Sequence, residues 1–207
     1  MFLTGVATLG VAGAADAGVV LQPAAASTDM ATADGHDIGN LRDQSGLRLT
    51  YDAGVSDLDA YVAASPKHNS FPKENTWASP ELTGNVDFDL GGSVTITTMA
   101  YWAIGEVAQC NANTFNLFAD DNADFTSPTL LGSYVVQNTR ADTQLVPVET
   151  FSFEPTLATH VRMQITSSEV NGAGIGEVAF ESVAPVPEPA AALGGLSLLG
   201  LAVLRRR

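Results

Sequence analysis

Through the middle of this chain, apolar and polar residues alternate with a period of two. Asp87 and Asp89 separate Val86, Phe88 and Leu90, while Arg162 and Gln164 separate Val161, Met163 and Ile165. Such alternation puts successive side chains on opposite faces of a pleated strand, one face toward a core and the other toward water. Gly91-Gly92 reads as a turn out of the first run into Ser93–Trp102, which is rich in β-branched and aromatic residues. Phe115–Ala119, Thr129–Val136, Gln144–Phe153, His160–Thr166 and Gly176–Glu181 have similar strand character. Only Ser56–Ala64 offers a helical turn or two. About seven or eight short strands punctuated by Gly, Asn, Asp and Pro predict an all-β fold, an antiparallel β-sandwich or jelly roll.

These strands place the folded domain at 35–183. Ahead of it, residues 18–34 are rich in Ala, Thr and Gly and read as a linker. The first twelve residues are apolar, small and uncharged, followed by Ala15-Asp16-Ala17 or Ala24-Ala25-Ala26. That is the pattern of a secretory h-region and cleavage site, although no Lys or Arg precedes it, and a buried N-terminal helix is the alternative. The division is then a signal peptide at 1–26, a linker at 27–34, the sandwich at 35–183 and a tail at 184–207. In the tail, Pro185, Pro187 and Pro189 resist helix formation. The fifteen residues Ala190–Leu204 carry no charge and are followed by Arg205, Arg206 and Arg207. As a helix this run spans about 22 Å, short of the roughly 30 Å hydrocarbon core. The arginines would hold to the cytoplasmic membrane face. A C-terminal core helix is the competing reading, and the absence of an amphipathic stripe argues against it.

Composition narrows the function. Acidic residues outnumber basic ones 23 to 9, for a formal net charge of −14. This excess argues against nucleic-acid binding, which needs clustered Lys and Arg. The single cysteine, Cys110, cannot form an internal disulfide, and no Cys/His set has zinc spacing. Cys110 has no basic neighbour in sequence to activate it and reads as an inert, partly buried thiol. There is no Gly-x-Ser-x-Gly elbow, His-Glu-x-x-His helix or phosphate-cradling glycine loop, so the chain does not read as an enzyme. Gly172–Gly176 is glycine-rich but reads as a loop before a strand. A glycosidase-like carboxylate pair about 5–10 Å apart stays open, because no acid is singled out. Asp120-x-Asn122-x-Asp124 resembles half of a calcium loop, but neither the glycine nor the glutamate that completes one follows. Its side chains instead suit the cap of a hairpin turn. Trp102 reads as core. Tyr61, His68, Phe71 and Trp77 lie in the longest irregular stretch and have two readings, a ligand-contacting aromatic face or a plug at the end of the sandwich.

Two resemblances add to this. Pro187-Glu188-Pro189, an apolar span and a basic cluster together resemble a PEP-CTERM sorting signal. The resemblance implies export across the inner membrane of a Gram-negative bacterium and transient membrane anchoring. An exosortase-type enzyme would then process the protein for release to the cell surface or extracellular matrix. The segments 85–103, 115–125, 158–168 and 174–181, in that order, resemble a discoidin (coagulation factor 5/8 type C) domain, a galactose-binding-like β-sandwich. This resemblance implies a binding module that meets glycans, lipids or proteins through loops at one end. It also implies a structural Ca2+ held by Asp57, Asp59 and a late acid, Glu177; helix capping by the two aspartates and a solvent-facing glutamate are the alternative. The leading function is an exported, non-catalytic module for extracellular polysaccharide or envelope glycan. A protein-binding matrix or surface protein is the second class, and an unrecognised glycan hydrolase the third.

Overall fold

The computed structural model describes residues 18–69, 73–104, 110–137 and 145–183. Ten strands account for most of them: β1 (Val19–Leu21), β2 (Ala25–Thr28), β3 (Lys67–Asn69), β4 (Trp77–Ser79), β5 (Gly84–Ala103), β6 (Ala112–Asp120), β7 (Thr129–Val135), β8 (Leu145–Pro147), β9 (Glu149–Ser168) and β10 (Ala173–Val183). One short helix, α1 (Leu58–Ala63), falls within the stretch expected to form a turn or two. Among the described residues no helix is long and apolar enough to cross a membrane.

Every strand pairing is antiparallel, in the order β1-β10-β5-β9-β6-β7, with β2 added to β5, β4 added to β10, and β3-β8 a separate pair. The two long strands make the sandwich. The first half of β5 pairs with β2 and the second half of β9, while its second half pairs with β10 and the first half of β9. Both strands therefore pass from one layer to the other. Gly91, at φ 80°, supplies a backbone that other residues adopt at a cost, and the β5–β9 register breaks between Asp89 and Val94. The glycine pair thus bends a continuous strand and does not end it.

The predicted alternation holds in the first layer. Val86, Phe88, Leu90, Val161, Met163 and Ile165 are all buried, and the intervening polar residues face outward. Aromatic contacts join the layers across this core: Phe88 meets Phe180 edge-on at 5.7 Å, and Phe115 meets Phe151 at 5.0 Å. A second apolar cluster covers the other side of β10 and β5, where Val20, Leu47, Tyr51, Leu58 and Tyr61 pack on Ala100, Trp102 and Ala179. Both faces of β10 are consequently shielded, and Gly172–Phe180 is buried without a break. The glycine-rich segment 172–176 is mostly strand interior and not a loop. A Cβ on Gly174 would come within 2.5 Å of the Cys110 carbonyl.

Residues 18–34 are not a linker. β1 pairs with β10, β2 pairs with β5, and Val20 is fully buried. Backbone pairing with long strands orders a segment whose own side chains give no periodic signal. Cleavage after Ala26 would remove β1 and half of β2, whereas cleavage after Ala17 leaves both in place.

The fragment 18–183 should therefore unfold cooperatively, and 35–183 should melt at least about 5 °C lower, since Val20 burial alone contributes about 2 kcal/mol. Coincident thermal melts of the two fragments would show that β1 and β2 add nothing to the fold.

Candidate functional site

The residues expected to touch a ligand are mostly inside. Trp77 and His68 are fully buried, and Tyr61 is buried with its hydroxyl donating to the Leu49 carbonyl at 2.6 Å. Phe71 lies outside the described residues. Tyr61 packs edge-on against Tyr51 and tilted on Trp102, so it closes the second cluster and offers no open face. Tyr61 belongs to the cover over β10, Trp77 to the core between the layers, and His68 lies against Gly46 and Gly176.

His68 sits where two glycines make room. A Cβ on Gly46 would lie 2.0 Å from its Nε2, and one on Gly176 would lie 2.8 Å from its Nδ1. Among the described residues neither ring nitrogen makes a hydrogen bond of good geometry. Burial drives the imidazole down to about 4, although the nearby Asn75 backbone and the Asp43 carboxylate favour the charged ring.

Asp57, Asp59 and Glu177 do not come together as a calcium site. The Asp57 carboxylate accepts from the Ala60 amide at 2.7 Å and caps α1, while Asp59 is exposed in the first turn of that helix. Glu177 is fully buried and accepts from the Gln44 amide at 3.0 Å through Oε2, while Oε1 has no partner among the described residues. Among the described residues no three His, Cys, Asp or Glu side chains group to hold a metal. Glu177 faces residues 42–44 and not Asp57 or Asp59, and it is not the solvent-facing edge residue of the alternative. Burial, and then the charge of Asp43, push its carboxyl well above the ordinary range.

The other candidates resolve simply. Asp120 accepts from the Asn122 and Ser127 amides, and Asn122 accepts from the Asp124 amide, so this turn satisfies itself. Cys110 is buried, and burial together with Glu169 pushes its thiol up to about 11. Pro187, Glu188, Pro189, Arg205, Arg206 and Arg207 lie outside the described residues.

A cleft of about 330 Å³ opens at one end of the sandwich, lined by Thr32, Ala33, Gly35, His36, Asp37, Asn40 and Glu74. Its frame is well fixed. The Ala33 amide donates to the Ala78 carbonyl at 2.8 Å, tying the segment to β4. Asp37 caps the short 3-10 helix Ile38–Arg42, and Asn40 donates to the Thr76 carbonyl at 2.9 Å. His36 Nδ1 bonds the Thr76 hydroxyl at 2.9 Å, leaving Nε2 for a ligand. Desolvation and Lys73 hold this imidazole below its usual value, so at neutral pH it is uncharged. The cleft thus presents an imidazole, a carboxylate and short hydroxyl and amide groups, a set suited to hydroxyl recognition. The sequence reading passed over all of them. The run Asp34-Gly-His-Asp-Ile-Gly-Asn40, dense in polar groups between two glycines, was the available signal.

No family model matches the sequence, and no relative is found among curated proteins. The fold does have solved counterparts. The CBM32-1 and CBM32-2 domains of Clostridium perfringens ZmpB match with TM-score 0.54 and 16% identity over 77% of this chain and 34% of that one. This chain thus spans about a third of that structure's length. The family 32 CBM of C. perfringens NanJ, solved in complex with galactose, matches with TM-score 0.53 and 13% identity over 79% and 98%. CBM32-3 of a C. perfringens family 31 glycoside hydrolase matches with TM-score 0.52 and 12% identity over 79% and 90%. At such identities the likeness establishes the fold alone, an antiparallel β-sandwich.

His68 and Glu177 give opposite pH dependences. A lowered histidine adds stability that is full above pH 6.5 and is lost as pH falls toward 4, on the order of 3 kcal/mol. A raised carboxyl adds stability that is full below its unfolded value near 4.5 and is lost as pH rises through its folded value. In urea melts, His68→Gln should flatten the acid limb and Glu177→Gln the limb above pH 4.5. A variant that keeps the wild-type slope would remove that residue from the account.

Proposed function

We propose that this chain is an exported, non-catalytic module that binds glycan through the cleft around His36 and Glu74. The observation that carries the reading is the cleft itself, which His36, Asp37, Asn40 and Glu74 line with polar side chains on a hydrogen-bonded frame. Support comes from fold counterparts solved in complex with sugars, the ZmpB domains with GalNAc and the NanJ module with galactose. The carboxyl raised furthest, Glu177, is fully buried and lines neither described cleft, which argues against a general acid acting there.

The same reading keeps a calcium ion but moves it. Glu177 Oε1, buried and unpartnered, with Asp43 beside it, is the pair that a cation would relieve, with main-chain carbonyls or water completing the shell. Export and anchoring rest on the terminal segments: a signal cleaved after Ala17, the PEP-CTERM-like tail and an exosortase-type partner.

A protein-binding matrix role is the second reading. It is favoured by β7, an uncharged strand at the end of the sheet order that exposes Leu130 and Val135.

Affinity electrophoresis in gels containing galactose-bearing polysaccharide should retard the protein, with His36→Ala and Glu74→Ala each weakening retention about tenfold. Mobility unchanged by any polysaccharide would overturn the glycan reading. Deleting residues 186–207 should release the protein from the membrane fraction; unchanged fractionation would remove the tail as an anchor.

A further inference from the structure

A second cavity, of about 130 Å³, lies on the outer face of the first layer and shares no lining residue with the cleft at the loop end. Its floor and walls come from four elements: Ser27 on β2, Asp87 and Asp89 on β5, His160 on β9, and Ala123 and Phe125 in the turn between β6 and β7. Most of these residues are strand positions whose side chains the period of two sends outward, so the cavity is built on the sheet itself.

The cavity is held together by interlocking groups. Arg162 donates two parallel hydrogen bonds of 2.7 Å to Asp87, from Nε and from a terminal nitrogen. That fork fixes the guanidinium 4.2 Å from the centroid of the Phe125 ring. His160 meets the same ring edge-on at 6.4 Å. Phe125 itself stands at φ 49°, a conformation that costs a bulky residue on the order of 1–3 kcal/mol and persists only where its surroundings impose it. Asp120 imposes it, bridging the turn from Asn122 to Ser127 through main-chain amides. A ring held in strain by a salt bridge and a self-capped turn forms a prearranged wall.

The hydrogen-bonding capacity left over is specific. Asp89 uses Oδ1 on the Gly91 amide, and His160 uses Nδ1 on the Thr159 hydroxyl. Among the described residues Asp89 Oδ2 and His160 Nε2 have no partner, and both residues line the cavity together with the exposed Ser27. The charge of Arg162 is already met by Asp87, so Asp89 and the neighbouring Asp121 and Asp124 leave the rim negative.

We infer that this cavity is a second saccharide subsite that takes one uncharged pyranose unit. A carboxylate, an imidazole and a hydroxyl around an aromatic edge match the hydroxyls and C–H edge of a sugar ring. The volume is well below the roughly 300 Å³ at which pockets for larger ligands begin, which limits the occupant to a single ring. The negative rim rejects uronic and sulfated sugars. This rests on the glycan reading above and extends it: two subsites on different faces let one module hold two chains, or two points on one chain.

The test is amide NMR of the full-length chain titrated with galactose, N-acetylgalactosamine, glucose and glucuronate as probes. Two sets of amides should shift with a neutral sugar, one around His36, Asn40 and Glu74 and one around Ala25, Asp89, Phe125 and His160. Ala123→Trp, which fills the cavity from an exposed turn, should abolish the second set alone. His160→Ala should weaken the second set about tenfold. If only the first set shifts, if Ala123→Trp leaves the second unchanged, or if glucuronate shifts the second as strongly as a neutral sugar, the subsite is wrong and the cleft reading stands. Shifts in the second set alone would support the subsite and remove the cleft. If neither set moves with any probe, both fall.

Discussion

Strand β10 is covered on both faces, and most of the molecule is arranged to keep it so. On one side Val178 and Phe180 pack into the core between the layers; on the other Ala179 lies under Val20, Leu47, Tyr51, Leu58 and Tyr61. A strand shielded on both faces needs small or apolar residues nearly throughout, and Ala173–Phe180 supplies them except at Glu177. The cover has to reach across the sheet from outside it, which is why residues 44–64 run as irregular chain with one short helix. The same demand recruits β1, whose Val20 seals the cover at its edge.

That constraint explains where the usable surface lies. One face of the second layer is occupied by its own cover and the other by the core. What remains is the end of the sandwich, where the segment 32–40 docks on β4, and the outer face of the first layer, which no described segment covers. Both cavities fall in these two places. The large aromatic residues are spent on the cover and the core, so the exposed sites are built mainly from His, Asp, Asn, Glu and Ser on a rigid frame. Sites of this kind discriminate by hydrogen bonds, because an analogue lacking a hydroxyl leaves a desolvated polar group unpaired.

The sequence made the first layer readable and hid the second. Val86-Asp-Phe-Asp-Leu90 and Val161-Arg-Met-Gln-Ile165 alternate because only one of their faces is buried, and period-two reasoning needs no more than that. Gly91-Gly92 looked like a turn because a bend and a chain reversal use the same residue; only the pairing partners distinguish them. Val19–Leu21 and Ala25–Thr28 are too short for any period and owe their order to β10 and β5. Tyr61 and Trp77 look alike in a packed interior and on a ligand platform, since both positions favour large rings. Glu177 could be recognised as unusual, but its neighbours, Asp43 and Gln44, lie some 130 residues away and are set by tertiary packing alone.

The buried Glu177 and His68 are then the cost of closing that cover with polar chain. Both lie on the side of β10 that faces the cover, and among the described residues both carry atoms without partners. An unpartnered buried polar atom weakens a fold by about 1–3 kcal/mol, so a sequence that retains two such residues side by side is not optimised for stability alone. A cation at Glu177 would offset one of them and draw the Asp43 carboxylate and the main chain at 42–44 against β10. Because that segment begins at the end of the 3-10 helix Ile38–Arg42, whose cap and neighbours form the rim of the cleft, ordering at Glu177 would be transmitted to the cleft through three or four residues of main chain. The cover, the Glu177–Asp43 pair and the cleft around His36 are in this sense one structural unit, and the strand beneath them is what couples them.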